Sequence, residues 1–453
     1  MSKTGGAPTY AEVHQALLAR WPETRIDPSL DRIRTVCDLL GQPQRAYPVI
    51  HLTGTNGKTS TARMVDSLLR GLGLRTGRYT SPHLESMTER ISVDGAALTE
   101  ERFVEVYGEV LPYLQLVDEQ SEVPVSFFET VTAMAFAAFA DAPVDAAILE
   151  VGLGGSWDAT NVADAAVAVI TAVGVDHAHL LGDTPADIAV EKAGIIKQGS
   201  VAVLAEQEEA VLEVLLERAA EVGATVAREG VDFAVTEHSP GLGGQLLTIS
   251  GLRATYDDIF LPLYGVHQAH NAACALAAVE VFAAGTGADG GLDADIVRAA
   301  FAEVTSPGRL EIVRRSPAVL LDAAHNPQGA LATADAVQEA FAFSPLVGVV
   351  GMMSDKDVNG VLEAFEPVLS RVVCTQNSTR RAMPAAELGE IADGIFGGER
   401  VEVVAGLDDA LVRGMALAEE GIGDGVGFGS GGVLVTGSVV TVGEARTLLV
   451  GAG

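Results

Sequence analysis

Positive charge is scarce in this chain: 29 Lys and Arg stand against 61 Asp and Glu, a formal net charge of −32. Such a surface repels phosphate backbones and anionic lipid, which argues against nucleic-acid and membrane partners. An anionic ligand must then be held by locally concentrated Lys or Arg, by backbone dipoles or by a metal ion. Cysteine is also rare, with Cys37, Cys274 and Cys374 scattered among 453 residues. Their spacing suits neither disulfide pairs nor a zinc site and fits a reducing compartment. No apolar run is long enough to span a bilayer: the Ala-rich stretch Thr132–Ala142 is short and closely flanked by Glu129 and Asp141. Met1–Tyr10 lacks a charged start followed by an apolar core, so no secretory signal is expected and the protein is expected to be cytoplasmic. What remains is an ordinary globular composition, 48% hydrophobic with 50 Gly and 18 Pro, long enough for two or three domains.

Apolar runs alternate with helix-like stretches. Strands are expected at Val49–Leu52, Ala146–Val151, Ala166–Ala172, Val201–Leu204, Ala318–Asp322, Leu346–Gly351, Arg371–Thr375 and Val433–Thr436. Helices are expected at Phe127–Phe139, Ala186–Ile196, Gln207–Glu221, Asn271–Phe282, Leu331–Ala340 and Val358–Leu369. Continuous apolar strands separated by helices indicate parallel sheets covered on both faces. Val231–Pro262 instead reads as antiparallel strands hanging at the edge of the first sheet. The fold class is therefore α/β: an N-terminal phosphate-loop ATPase domain with a parallel sheet and a small antiparallel edge sheet, then a C-terminal Rossmann-like α/β domain. The break Thr305-Ser306-Pro307-Gly308 divides them into residues 1–305 and 306–453.

The most informative segment is Gly54-Thr55-Asn56-Gly57-Lys58-Thr59-Ser60, between the strand Val49–Leu52 and a helical pattern from Thr61 to Leu72. A glycine-punctuated loop opening a helix turns N–H groups towards phosphates, and Lys58 adds a point charge. Other polar residues also follow strands, where open parallel sheets bind ligands. Glu150 ends an apolar strand before Val151–Asn161, the usual place for a magnesium ligand beside a phosphate loop; a helix cap or surface acid is the alternative. Asp176, His177 and His179 follow the next strand, and the histidines can bind metal or simply bond to backbone. On the helix around Ala189–Lys197, the spacing puts Val190, Ala193 and Ile196 on one apolar face and Lys192 off it, beside Glu191. Lys192 is then either a solvent lysine or a contact to metal and phosphate. In the second domain Asp322 ends a strand and His325 sits in the following turn, able to reach a ribose and a phosphate or merely to cap a helix. Arg309, just after the break, is placed to clamp a phosphate between domains.

Taken in order, Thr53–Ser60, Thr80–Leu84, Glu150–Asn161, Asp176-His177, Glu191–Lys197, His267–Asn271, Pro307–Glu311 and Asp322–Pro327 resemble the Mur ligase superfamily, most closely its folylpolyglutamate synthase and dihydrofolate synthase branch. The resemblance runs from about Leu30 to about Gly443. It implies that Lys58 contacts ATP phosphates with Gly54, Thr55, Asn56, Gly57, Thr59 and Ser60 around them. It implies Mg2+ held by Ser81 and Glu150, with Glu150, His177 and a carbamylated Lys192 at a second metal site. Asn271 would lie near adenine or its phosphates, Arg309 and His325 at phosphates, and Asp322 at the ribose. Phe128 would lie near a pterin, or serve as core. The implied partners are L-glutamate and a reduced folate or dihydropteroate, joined through an acyl phosphate by a monomer. Two departures stand out: Ala323 occupies a turn position where the family has glycine, and the Gly437-Ser438-Val439-Val440 ending lacks a tyrosine-like position.

A peptidoglycan-precursor amino-acid ligase of the same superfamily is the nearest rival, but only 53 residues precede Gly54, few for a nucleotide-sugar domain. A non-ligating nucleotide switch is the rival from another class. It would not need Arg309, Asp322 and His325 to converge on ATP.

Overall fold

The computed structural model describes residues 8–22, 27–285, 290–420 and 431–451. Most of Met1–Tyr10 lies outside the described residues. The first sheet contains β1 (Val49–Thr53), β2 (Thr76–Tyr79), β3 (Ile91–Val93), β4 (Ala96–Ala97), β5 (Ala146–Glu150), β6 (Val167–Ile170), β7 (Val201–Leu204) and β8 (Thr225–Arg228). Their order is β4-β3-β2-β5-β1-β6-β7-β8, and all pairings are parallel except those of β3 and β4. All five residues of β1 are buried. Ile50 and Leu52 enter the core shared with the helix Lys58–Gly71, while Val49 enters the core on the opposite face. This two-sided burial explains why the strand reads as a run and not as an alternation.

β9 (Ala234–Gly241), β10 (Gly244–Ser250) and β11 (Thr255–Leu261) are antiparallel, as their sequence suggests. They do not extend the first sheet, which corrects the expected attachment: they form a sheet of their own, ordered β11-β10-β9. The helix Val266–Gly285 explains the difference. Its residues are buried nearly all round, so both sides need cover. Leu247, Ile249 and Ile259 of the small sheet join its alanines in one core with Ile50 and Leu52. The antiparallel edge of the first sheet is made by β3 and β4 instead.

The third sheet holds β12 (Glu311–Arg315), β13 (Ala318–Leu321), β14 (Leu346–Val350), β15 (Arg371–Cys374), β16 (Val401–Val403) and β17 (Gly432–Thr436). The order is β12-β13-β17-β14-β15-β16, parallel apart from β12 against β13. The chain passes from one layered unit to the other through Thr305–Gly308. There Ser306 Oγ lies 3.0 Å from Ser60 Oγ on the phosphate-loop helix. Further along the same seam Arg446 pairs with both Glu311 and Glu85. These contacts set the carboxyl ends of β1, β2, β5 and β6 opposite those of β13 and β14.

Candidate active site

Apart from His179, every residue assigned above to phosphate, nucleotide or metal lines one cavity of about 510 Å³ between the first and third sheets. Its floor is the turn from β1 into the helix Lys58–Gly71. Gly57 caps that helix at φ 90 with no side-chain cap, so the first-turn N–H groups stay open to a ligand. Thr171 Oγ1 donates to Asn56 O at 2.7 Å, and Thr55 N and Asn56 N donate to Ala172 O at 2.8 and 3.3 Å, pinning the loop to the end of β6. A Cβ on Gly57 would stand 2.4 Å from Asn271 Oδ1. Gly57→Ala should therefore weaken ADP binding by about tenfold or more, because the left-handed backbone strain alone costs about 1–3 kcal/mol. Calorimetric titration with ADP checks this, and unchanged affinity would show that the loop tolerates the methyl group.

Two lysines meet at the loop. Lys58 Nζ donates to Gly54 O at 2.7 Å, and Lys192 Nζ donates to the same carbonyl at 2.9 Å. Burial, then the neighbouring Lys58, hold the Lys192 ammonium well below its ordinary proton affinity. Lys192 is 4% exposed whereas Val190 is 59% exposed, which corrects the expected facing of this helix. The buried side of Pro185–Ala193 is formed by Ile188, Ala189, Lys192 and Ala193; Ala193 and Ile196 are buried as expected, but Val190 is not and Lys192 is, so the solvent-lysine reading fails.

Glu150 ends β5, 1% exposed. It accepts from Thr59 Oγ1 at 2.8 Å and from Ser81 N at 3.3 Å. Burial raises its proton affinity, only partly offset by Lys58 and these donors. A buried carboxylate short of positive charge, beside the open hydroxyl of Ser81, fits a hard cation that keeps most of its waters and binds few protein oxygens. Among the described residues no group of three or more His, Cys, Asp or Glu side chains is gathered for a metal, so a nitrogen-rich transition-metal centre is not formed.

His177 has φ 53, a left-handed conformation uncommon for a residue with a Cβ. Its Nε2 lies 3.2 Å from Lys356 Nζ, and His179 is exposed and does not line the cavity. Burial first, then the charge of Lys356, lowers the His177 imidazole to about 4 despite Asp176, so it is neutral at physiological pH. Asp176 is the hub of this corner. Its carboxylate accepts from Lys356 Nζ at 2.6 Å and from Asn326 Nδ2 at 3.4 Å, and lies 3.3 Å from His325 Nε2. Burial alone would raise its proton affinity, but the His325 hydrogen bond and the Lys356 charge outweigh it and keep the group ionised.

From the third sheet, Asp322 Oδ2 accepts from Leu310 N and Oδ1 from Ala324 N, both at 2.9 Å. Thr333 Oγ1 also donates to Oδ1 at 2.9 Å. The carboxylate thus fixes the turn that presents His325, while its remaining lone pairs face the cavity. Ala323 is not among the residues with positive φ, so this turn does not require glycine. The left-handed residue is Leu310 instead, with φ 44, directly after Arg309. Phe128 packs against Tyr79, with ring centroids 5.9 Å apart, and does not line the cavity.

Arg63, Glu89 and Glu229 line the cavity without a sequence signal, and His267 and His270, part of the His267–Asn271 motif, line it without having been given a role; Lys356, which does not line it, joins the site through Asp176. Lys356 lies well into the loop after β14, in the acidic turn Asp355-Lys356-Asp357, and not at a strand end as Glu150 and Asp322 do. His267 and His270 sit in the first turns of Val266–Gly285, where polar residues facing the cavity mask the helical pattern. His270 Nδ1 lies 2.6 Å from Glu229 Oε1, and that hydrogen bond raises the imidazole's proton affinity.

The fold and cavity together define a nucleotide-phosphate enzyme whose working groups come from two α/β units. The sequence matches the Mur ligase middle domain over residues 52–279 and the Mur ligase glutamate ligase domain over residues 308–439. It is 51% identical to the dihydrofolate synthase/folylpolyglutamate synthase of Mycobacterium tuberculosis, over 99% of this chain and 96% of that protein. The structure of M. tuberculosis folylpolyglutamate synthase complexed with ADP and AMPPCP superposes with a TM-score of 0.92 at 50% identity, covering 97% of this chain and 98% of the other. The structure of E. coli FolC in complex with DHPP and ADP gives a TM-score of 0.84 at 30% identity, covering 99% and 100%. The chain belongs to the Mur ligase family, in the branch of the dihydrofolate synthases and folylpolyglutamate synthases.

Proposed function

We propose that this chain uses ATP to join L-glutamate to the carboxylate of a folate, either dihydropteroate or a reduced folate, through an acyl phosphate. The observation that carries the reading is the convergence on one cavity of the phosphate loop, Lys58 and Glu150 from one unit and Arg309, Asp322 and His325 from the other. We assign ATP binding to residues 1–305 and the completion of the ligase site to residues 306–453.

A carboxylate is a poor electrophile for an amine because oxide would have to leave, whereas phosphate leaves readily. The acceptor carboxylate oxygen attacks the γ-phosphorus and ADP departs. The glutamate amine then attacks the activated carbon, loses a proton, and phosphate departs. Lys58 and the loop amides balance charge on the transferring phosphoryl group, with Arg309 and His325 reaching it from the opposite wall. Asp322 holds the ribose and Asn271 the base side of the nucleotide. Glu150 and Ser81, joined by His177 and a carbamylated Lys192, would hold Mg2+, which supplies further charge neutralisation at the phosphates. Closure between the two units excludes water, which protects the acyl phosphate from hydrolysis.

Among the described residues no helix is long and apolar enough to cross a membrane. The deciding experiment measures ADP release by purified protein with Mg-ATP, L-glutamate and either dihydropteroate or tetrahydrofolate. Release should require glutamate and at least one acceptor. Dependence on neither acceptor would remove the folate assignment. Release supported by a nucleotide-sugar peptide would favour the peptidoglycan branch.

A further inference from the structure

Arg63 is one turn beyond Thr59 on the phosphate-loop helix, so both side chains look towards the end of β5, where Thr59 bonds to Glu150. It lines the cavity together with Ser81, Leu84, Glu89, Pro307 and Val439, with Glu89 and Glu150 among its charged neighbours, whereas Asn271 lies against Gly57 at the start of the helix. Its guanidinium is half-buried and forms no hydrogen bond or ion pair with any described residue.

The neighbouring arginines differ. Arg78 donates to Asp66 at 2.7 Å and to Ser92 at 3.1 Å, Arg70 lies 3.5 Å from Asp66, and Arg90 donates to His83 at 3.0 Å. The acids near Arg63 are already engaged. Glu89 accepts the amides of Leu84, Glu85 and Ser86 at 2.9, 3.0 and 2.7 Å. Asp66 also accepts from Thr76 at 2.5 Å, and Glu150 is taken by Thr59 and Ser81. In a chain with 61 acidic residues, a half-buried guanidinium without an acidic partner is conspicuous. Desolvating a cation without pairing it is costly, so such a group is retained where a ligand completes it. Burial, then the charge of Arg78, lowers its proton affinity to about 10, which still leaves it charged at neutral pH.

We infer that Arg63 is a substrate-binding residue that receives a substrate carboxylate on the far side of the phosphate loop from the nucleotide base. The planar guanidinium fork matches a carboxylate in bidentate geometry. The inference rests on the ligase reading, in which two substrates carry that group: the incoming L-glutamate and the folate acceptor. A contact to the ATP phosphates is the competing role and predicts a different kinetic signature.

The test is steady-state ADP release by Arg63→Gln and Arg63→Lys, varying glutamate, tetrahydrofolate and ATP in turn. Arg63→Gln should raise KM for one carboxylate substrate by about ten- to a hundredfold, the scale of a lost charged hydrogen bond. KM for ATP should stay within about twofold, and Arg63→Lys should recover part of the loss. A rise for glutamate identifies the donor carboxylate, and a rise for tetrahydrofolate identifies the acceptor; either outcome supports the assignment. Unchanged constants for both, or a parallel rise for ATP, would overturn it. If Arg63→Gln does not fold, judged by its melting temperature, Arg63→Met keeps the apolar stem and provides the same comparison. A wild-type protein silent with every acceptor defeats the ligase reading and this inference with it. An active wild type with an indifferent variant defeats this inference alone.

Discussion

Replacing Glu150 with glutamine should lower magnesium-dependent turnover by about a thousandfold, the scale of several kcal/mol of lost charge stabilisation. The substitution keeps the volume of a side chain that is 1% exposed and retains one oxygen to accept from Thr59. It removes the negative charge that a cation would meet, and it can turn an amide N–H towards Ser81 N, 3.3 Å from the present carboxylate oxygen. Thermal melting should therefore shift only modestly while turnover collapses. ADP binding without magnesium should persist, because the loop amides and Lys58 are untouched. Near-normal turnover would sink the metal assignment.

The second large effect is expected at Lys192. Lys192→Ala should cut ligation by about a hundredfold or more, since it removes a group placed against the phosphate loop. The residue has the properties that carbamylation needs. Burial and the nearby Lys58 favour the neutral amine, and only the neutral amine can add to carbon dioxide. In that reaction an N–C bond forms, a proton is lost, and a new carboxylate faces the cavity. Short carboxylates such as formate or acetate should then partly restore Lys192→Ala, and intact-protein mass spectrometry should show one added carbon dioxide on the wild type. An unaltered rate would reject the role, and lost activity without rescue would leave Lys192 as an ammonium contact.

Much of this arrangement was readable because burial on both faces of a strand writes itself as an apolar run. β1, β5, β7 and β13 end within a residue of where their runs end, and polar residues at or just beyond those ends line the cavity. Lys58, Glu150 and Asp322 could be found for that reason. Short strands were harder: Thr76–Tyr79 contains Gly77 and Arg78, and Arg78 is neutralised only by Asp66 in another element. The facing of Pro185–Ala193 was misread because burial there follows a charged group drawn into the cavity, which no hydrophobic period reports. Lys356 was missed because its meaning lies in Asp176, 180 residues away in sequence. The placement of the three-stranded sheet depends on which faces of Val266–Gly285 are left uncovered after it packs on the phosphate-loop helix, a tertiary outcome.

The shared carbonyl of Gly54 has a further consequence. Two amines converge on one oxygen, at 2.7 and 2.9 Å, and after burial the charge of Lys58 lowers the proton affinity of Lys192. Phosphates that draw Lys58 away would relieve Lys192 of a competitor, and a carbamate on Lys192 would in turn attract Lys58. By thermodynamic reciprocity, nucleotide loading and the chemical state of Lys192 must bias one another by the same factor. With Lys192 carbamylated as proposed, the loop would be a junction where dissolved carbon dioxide and ATP are linked ligands of one protein.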